Sequence, residues 1–322
     1  MKKALLNSIC ALALAAVAAG VAAQQYPTKP VRLIVPFVVG GPNDIQARML
    51  ADKLTQRLGQ PFIVDNRGGA NGNIGMELVA KSPPDGYTIV IATVGTWAVN
   101  PSLYKLPFDT VRDFAPIILV STSPAVLVVH PSVPVRSVKE LIALAKAKPG
   151  KLNYGSSGVG GLGHISGELF SLRTGTKMVH VPYKSSAPAL NDVVAGQIEV
   201  LFNNAIPTVP FIKSGRVRAL AVTSLKRMQA LPEVPTLDEA GIKGYDNSSW
   251  SAIGAPAGTP KEIIAKLNNE LNQILKLPDI QEKSISSGAE IIGGTPEQFA
   301  VYLKSEIAKF ARVVKEAKIT AE

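Results

Sequence analysis

The chain has 322 residues, 34 Lys and Arg against 24 Asp and Glu, a formal net charge of +10 and one cysteine, Cys10. A single thiol excludes a disulfide framework and a cysteine-rich zinc site. The basic residues are scattered along helix-like segments rather than gathered in a stripe with aromatics, which favours solvated faces over a nucleic-acid surface.

The first stretch reads as a leader. Lys2-Lys3, an alanine-rich apolar run from Ala4 to Val21, and small residues up to Ala23 make a secretory signal peptide cleaved after about Ala23. The run is too short for a membrane anchor and carries no basic stop-transfer flank. Cys10 leaves with it and fits no lipoprotein acylation site, so thiolate catalysis is excluded too. Without Lys2 and Lys3 the net charge falls from +10 to +8.

Strand and helix then alternate. Val31–Phe37 is apolar and β-branched, Gly40-Gly41 follows, and a helix over Asp44–Leu58 is stopped by Gly59. Glycines let a ligand approach the backbone, and the unpaired N–H groups of a first helical turn favour an anion. A strand over Phe62–Asn66, a helix over Ile74–Lys81 and a strand over Tyr87–Thr93 complete βαβ units around a mostly parallel sheet. The long apolar run Ala115–His130, interrupted at Ser121–Pro124, suits a strand passing to a second lobe.

That lobe repeats the pattern. Ser137–Glu140 is a capping box, and strands at Leu152–Ser156, Lys177–Tyr183, Ile198–Asn203 and Val217–Thr223 enclose helices at Leu162–Arg173 and Ala187–Ala195. Ser249–Ala255 reads as the return crossing. The tail is helical, with caps at Thr259 and Thr295 and a stripe of Ile263, Leu267, Leu271 and Ile274. The expected organisation is a signal peptide at 1–23, the first part of lobe 1 at 24–122, lobe 2 at 123–247, and a return to lobe 1 with C-terminal helices at 248–322. Two crossings make a hinge over a cleft. Ligands in open α/β sheets bind at the carboxyl ends of strands, here the loops Phe37–Asp44, Thr93–Asn100, Gly155–Gly161, Tyr183–Ser186 and Asn203–Thr208.

Three motifs compete for a chemical reading. Gly158-Val159-Gly160-Gly161-Leu162-Gly163 matches G-x-G-x-x-G, but the ribose-binding acid expected about 20 residues on is missing, which argues against a dinucleotide cofactor. Ser156-Ser157 beside His164 invites a secreted α/β hydrolase, yet Val159 stands where the nucleophile elbow needs glycine. His130, His164 and His180 have no paired spacing for a metal; a helix-packing or loop-bracing histidine is the simpler reading of His164. Asp44 at a helix start is read as a cap. Trp97 and Tyr183 are divided between packing and ligand contact, Phe37 at the loop mouth leans to contact, and Lys184 is the cationic candidate near the cleft.

The segments PFVVGGPNDIQAR (36–48), NRGGANGNIG (66–75), PPDGYTIVIATVGTWAVNPSLY (83–104), LNYGSSGVGGLGH (152–164), HVPYKSSAPALNDVVAGQIEVLFNN (180–204) and GRVRALAVTS (215–224) together resemble the solute-binding receptors of tripartite tricarboxylate transporters, also called Bug proteins. The resemblance implies an α/β, type II-like periplasmic binding protein of Venus flytrap form, and no enzyme. Such a receptor needs no cofactor or metal. It would close on a small carboxylate (a dicarboxylate, a tricarboxylate, an amino acid or an aromatic acid) and deliver it to the transporter's membrane components. A solute sensor serving a signalling partner is the other outlet. Carried over residue by residue, the resemblance points to Phe37, Gly41, Asn43, Asp44 and Thr96 on one side of the cleft and to Ser156, Ser157 and Asn203 on the other. Asn43, Ser185 and Asn203 stand where the family often has threonine, glycine and aspartate.

Overall fold

A computed structural model describes residues 26–183, 185–286 and 288–320. The leader reading and Lys184 lie outside the described residues.

The first half is built on β1 (Val31–Val35), α1 (Pro42–Leu58), β2 (Phe62–Asn66), α2 (Asn73–Ala80) and β3 (Thr88–Thr93). β1 pairs in parallel with both β2 and β3, as the alternation of strand and helix predicts. A buried π-helical turn, Gly95–Val99, runs into the short α3 (Asn100–Leu103). Then comes β4, a strand of 16 residues from Phe114 to Val129.

β4 does not break at Ser121–Pro124. Its first part pairs antiparallel with β9 (Ser248–Pro256), from Phe114↔Pro256 to Pro124↔Ser248. From Ala125 onward it pairs instead with β7 (Val200–Asn204) and β8 (Arg218–Val222). The partner switch at Pro124/Ala125 is where the chain leaves one half for the other, and β9 carries it back.

The second half consists of α4 (Val138–Ala147), β5 (Asn153–Ser156), α5 (Leu162–Thr174), β6 (Val179–Pro182), α6 (Ser186–Val194), β7, α7 (Ala205–Lys213) and β8. The return through β9 leads to α8 (Lys261–Ile274), α9 (Pro278–Ser286), β10 (Glu290–Gly293) and α10 (Pro296–Glu316). Strand order along the whole sheet is β2-β1-β3-β9-β4-β7-β5-β6, with β8 and β10 added to β4. The result is the expected two-lobed α/β fold with two crossing strands.

Local chemistry explains most boundaries. Ser137 accepts from the Glu140 N–H at the start of α4, and Thr295 and Gln298 form a reciprocal capping box for α10. Thr259 differs from its expected role: its hydroxyl donates to the Pro256 carbonyl, and Pro260 takes the cap position of α8. The buried stripe of α8 is Ile264, Leu267, Leu271 and Ile274, one position off Ile263 at its start.

Each half has its own core. One joins β1, β3, α1 and α8, and another joins α6, β7 and β8. A third runs behind the cleft through both halves, from Ile34 and Trp97 through Phe299 and Phe310 to Tyr154 and Phe202. Trp97 therefore belongs to packing: it is 1% exposed and meets Phe114 and Phe299 edge to face.

Candidate functional site

Between the two halves lies a cavity of about 290 Å³. The first half contributes Phe37, Asn71 and the turn Thr93–Thr96. The second contributes Ser157, the start of α5 and Asn204. Asn247 and Ser249 reach it from the beginning of β9, and Phe310 from α10. Among the described residues lining it, none carries a charge.

The second-half wall is held by a compact set of polar contacts. Ser156, at the end of β5, bonds His180 Nε2 through its hydroxyl at 2.7 Å, and the same oxygen accepts from the Gly158 N–H at 3.1 Å. These bonds tie β5 to β6 and fold the glycine loop. His164, in the first turn of α5, accepts the Gly160 N–H on Nδ1 at 3.0 Å. Its ring stacks on His180 at 3.9 Å, and Tyr154 stacks on the other imidazole at 5.0 Å. Burial, together with the neighbouring His180, pushes His164 down to about 4, and burial does the same to His180. Both rings are neutral near pH 7.

Gly163 lies against the backbone of β7, where a Cβ would overlap the Phe202 carbonyl oxygen. That contact seats the start of α5 on the sheet. The helix is capped by the backbone of Gly161 with no side-chain bond, and Gly160, Gly161 and Leu162 all line the cavity. The positive end of a helix dipole and unpaired N–H groups thus border the space.

On the first-half wall, Thr96 is buried and its hydroxyl donates to the Thr93 carbonyl at 2.9 Å, closing the turn. Asn100 donates to the Asn71 carbonyl at 3.0 Å and to Asn73 Oδ1 at 2.7 Å, which holds Asn71 at the lining. Asn66 donates to the Phe37 carbonyl at 3.2 Å.

Of the residues indicated by sequence, Phe37, Thr96 and Ser157 line the cavity. Gly41, Asn43, Asp44, Ser156 and Asn203 stand outside its described lining. Gly41 is the backbone cap of α1, and Asn43 is half-buried in that helix's first turn. Asp44 is not the N-cap; from the third helical position its carboxylate accepts the Gly40 N–H at 2.9 Å and pairs with Arg48 at 3.0 Å. The Arg48 bond and the Gly40 N–H hold its carboxyl down to about 2. Asn203 turns inward and donates to Thr208, while Asn204, one residue on, faces the cavity. Strand alternation carries that signal, since adjacent side chains point to opposite faces. Asn71, Asn247 and Phe310 were missed. Asn247 follows a loose stretch and Phe310 sits on an ordinary amphipathic stripe, so neither stands out in the sequence.

The hydrolase geometry does not form. Among the described residues no hydrogen bond joins Ser157 to His164, whose Nδ1 is occupied by Gly160 and whose ring face is covered by His180. It is Ser156, outside the cavity lining, that meets an imidazole. Tyr183, the other divided aromatic, bonds Asp192 and packs on the second-half core.

The family model described as tripartite tricarboxylate transporter family receptor matches residues 46–319. The chain belongs to that family. The receptor is 39% identical to Protein BugT of Bordetella pertussis over 95% of this chain and 94% of that protein. Among solved structures, R. palustris Rpa4515 with adipate superposes with a TM-score of 0.81 at 42% identity, covering 92% of the receptor and 99% of that chain. MatC from Rhodopseudomonas palustris with bound malate superposes at 0.77 and 30% identity, covering 90% and 100%. The receptor therefore has the two-lobed fold of this family's periplasmic binding proteins.

Proposed function

We propose that the receptor holds the carboxylate of a small solute between the Thr93–Thr96 turn and the start of α5, and that its closed, loaded form docks on the membrane components of a tripartite transporter. The observation that carries this reading is the uncharged cavity between the lobes with an uncapped helix N-terminus at its wall. The adipate and malate held by the two solved relatives support a carboxylate as the cargo. The lobes are taken as residues 24–122 with 248–322 and as 123–247, and residues 1–23 as a leader removed on export to the periplasm.

In this reading Phe37, Thr96 and Ser157 touch the solute. Asp44, Ser156 and Asn203 brace the segments around them, with Gly41 and Asn43 in the first turn of α1. In this reading the chain is a receptor rather than an enzyme, and among the described residues Ser157 makes no hydrogen bond to a histidine. One carboxylate at one helix N-terminus gains roughly 0.3–2 kcal/mol, whereas micromolar binding needs about 8 kcal/mol. Hydrogen bonds from both walls and burial of apolar surface must supply the rest, which is available only when the lobes meet.

A thermal-shift screen of mono-, di- and tricarboxylates, amino acids and aromatic acids tests this directly. A binder at 100 times its dissociation constant should add about 2.7 kcal/mol. If no acid raises the melting temperature, the carboxylate seat is wrong.

A further inference from the structure

Asn204 Oδ1 and Asn247 Oδ1 are buried acceptors with no hydrogen-bond partner among the described residues, and both residues line the cavity. Asn247 is 1% exposed. Its Nδ2 donates to Ser166 Oγ at 2.8 Å and to the Leu162 carbonyl at 3.4 Å. A carbonyl oxygen only accepts, so the amide nitrogen must face α5, and this fixes the orientation of the Asn247 amide. Its other end is an acceptor that no water-sized group, in bulk or in the cavity, touches in this arrangement, and closure of the lobes on a solute is what brings a donor to it. Leaving such an atom unpaired costs about 1–3 kcal/mol, so an occupant that brings a donor is held better than one that does not.

The surroundings decide which donor. An ammonium would lose its water with no carboxylate among the described lining residues to replace it, and a second carboxylate, which only accepts, would bring no donor to the Asn247 and Asn204 oxygens. A hydroxyl has neither drawback. Val99, Leu162, Ile165 and Phe310 supply apolar wall, which suits a carbon skeleton without further polar groups.

We propose that the solute is a monocarboxylate with one neutral hydroxyl on an apolar skeleton, and that Asn247, with Asn204, reads that hydroxyl. The proposal rests on the receptor reading above and names the class of solute within it.

Isothermal titration of the exported protein with matched pairs tests it: butyrate and 3-hydroxybutyrate, phenylacetate and mandelate, benzoate and 4-hydroxybenzoate, with succinate and β-alanine as charged comparisons. In at least one pair the hydroxy acid should bind about tenfold tighter or more than its parent, the effect of satisfying one such acceptor. It should also bind tighter than succinate or β-alanine. Asn247→Leu should bring that ratio to within about twofold of unity, the ratio rather than either acid's own affinity being the readout. Should Asn247→Leu fail to fold, Asn204→Leu gives the same reading, since its side chain makes no hydrogen bond among the described residues. Binding of acids without preference in any pair, tightest binding of succinate or β-alanine, or a ratio unmoved in the variants overturns the hydroxyl reading and leaves the receptor reading standing. If no acid binds, the receptor reading falls and takes this one with it.

Discussion

Thr223 is the most exposing place to test the hinge. It is fully buried at the β4 partner switch, where its hydroxyl accepts the Ala125 N–H at 2.8 Å and donates to the Asn247 carbonyl at 2.6 Å. Ala125 begins the second-half pairing of β4, and Asn247 immediately precedes β9, so one hydroxyl fastens both crossings. Thr223→Val keeps the shape and removes that oxygen, leaving two buried backbone groups unpaired. At about 1–3 kcal/mol for each group, less about 0.8 kcal/mol for the added buried methyl, the loss should be about 1–5 kcal/mol. Thr223→Ser keeps the hydroxyl and gives up one methyl, a loss of about 1 kcal/mol. Urea unfolding at pH 7.5 reads both, as a lower midpoint at unchanged slope. If Thr223→Val lies within about 0.5 kcal/mol of the parent, or Thr223→Ser is as damaging as Thr223→Val, the hydroxyl does not fasten the hinge.

Four further outcomes follow from packing and charge. His164 and His180 are held neutral with values near 4, below the ordinary imidazole value, so the unfolded chain binds more protons once the pH drops beneath about 6.5. Stability should be flat above that pH and decline toward pH 4 by up to about 1.4 kcal/mol per unit for each ring; a His164→Gln/His180→Gln variant with the same decline would sink this account. Asp44, held near 2, contributes stability that is lost only in the separate window from about 3.8 down to 2. Glu306→Ala should cost about 3–5 kcal/mol, because the buried carboxylate accepts from Trp250 Nε1 at 2.8 Å and pairs with Lys309 at 2.6 Å. Glu306→Gln retains an acceptor for Trp250 and should melt between the two; equal melting of both variants would refute the Trp250 bond. Gly163→Ala pushes a methyl against the Phe202 carbonyl and should cost about 1–3 kcal/mol while weakening solute binding by shifting the start of α5; unchanged melting temperature and affinity would show that the helix has room.

The alternation of β-branched runs with helical stripes was enough to read the two halves and both crossings, because each element buries one face and the pattern records it. The glycine loop at Gly158–Gly163 was also legible, while sequence left His164 between packing the helix and bracing the loop, and the Gly160 N–H on its Nδ1 makes it the brace. What sequence blurred was the direction of single side chains. Ser156 and Ser157 are neighbours, and so are Asn203 and Asn204; in each pair one residue lines the cavity and the other does not, a choice fixed by strand end and register. The expected loop Asn203–Thr208 instead holds the start of α7, where packing of an apolar face on the second-half core outweighs Pro210 inside the helix. Residues brought in from far along the chain, Asn247 and Phe310, carried no local sign at all.

The pairing of β4 with β9 has a kinematic meaning. The crossings are two strands of one antiparallel ladder from Phe114↔Pro256 to Pro124↔Ser248, so they cannot slide or twist past one another without parting their hydrogen bonds. What stays soft is bending of that ribbon across its width, where β4 changes partners. The lobes should then swing like a door, about a single axis. A membrane partner touching one patch on each lobe could measure that one angle, and through it whether the receptor is loaded, without ever meeting the solute.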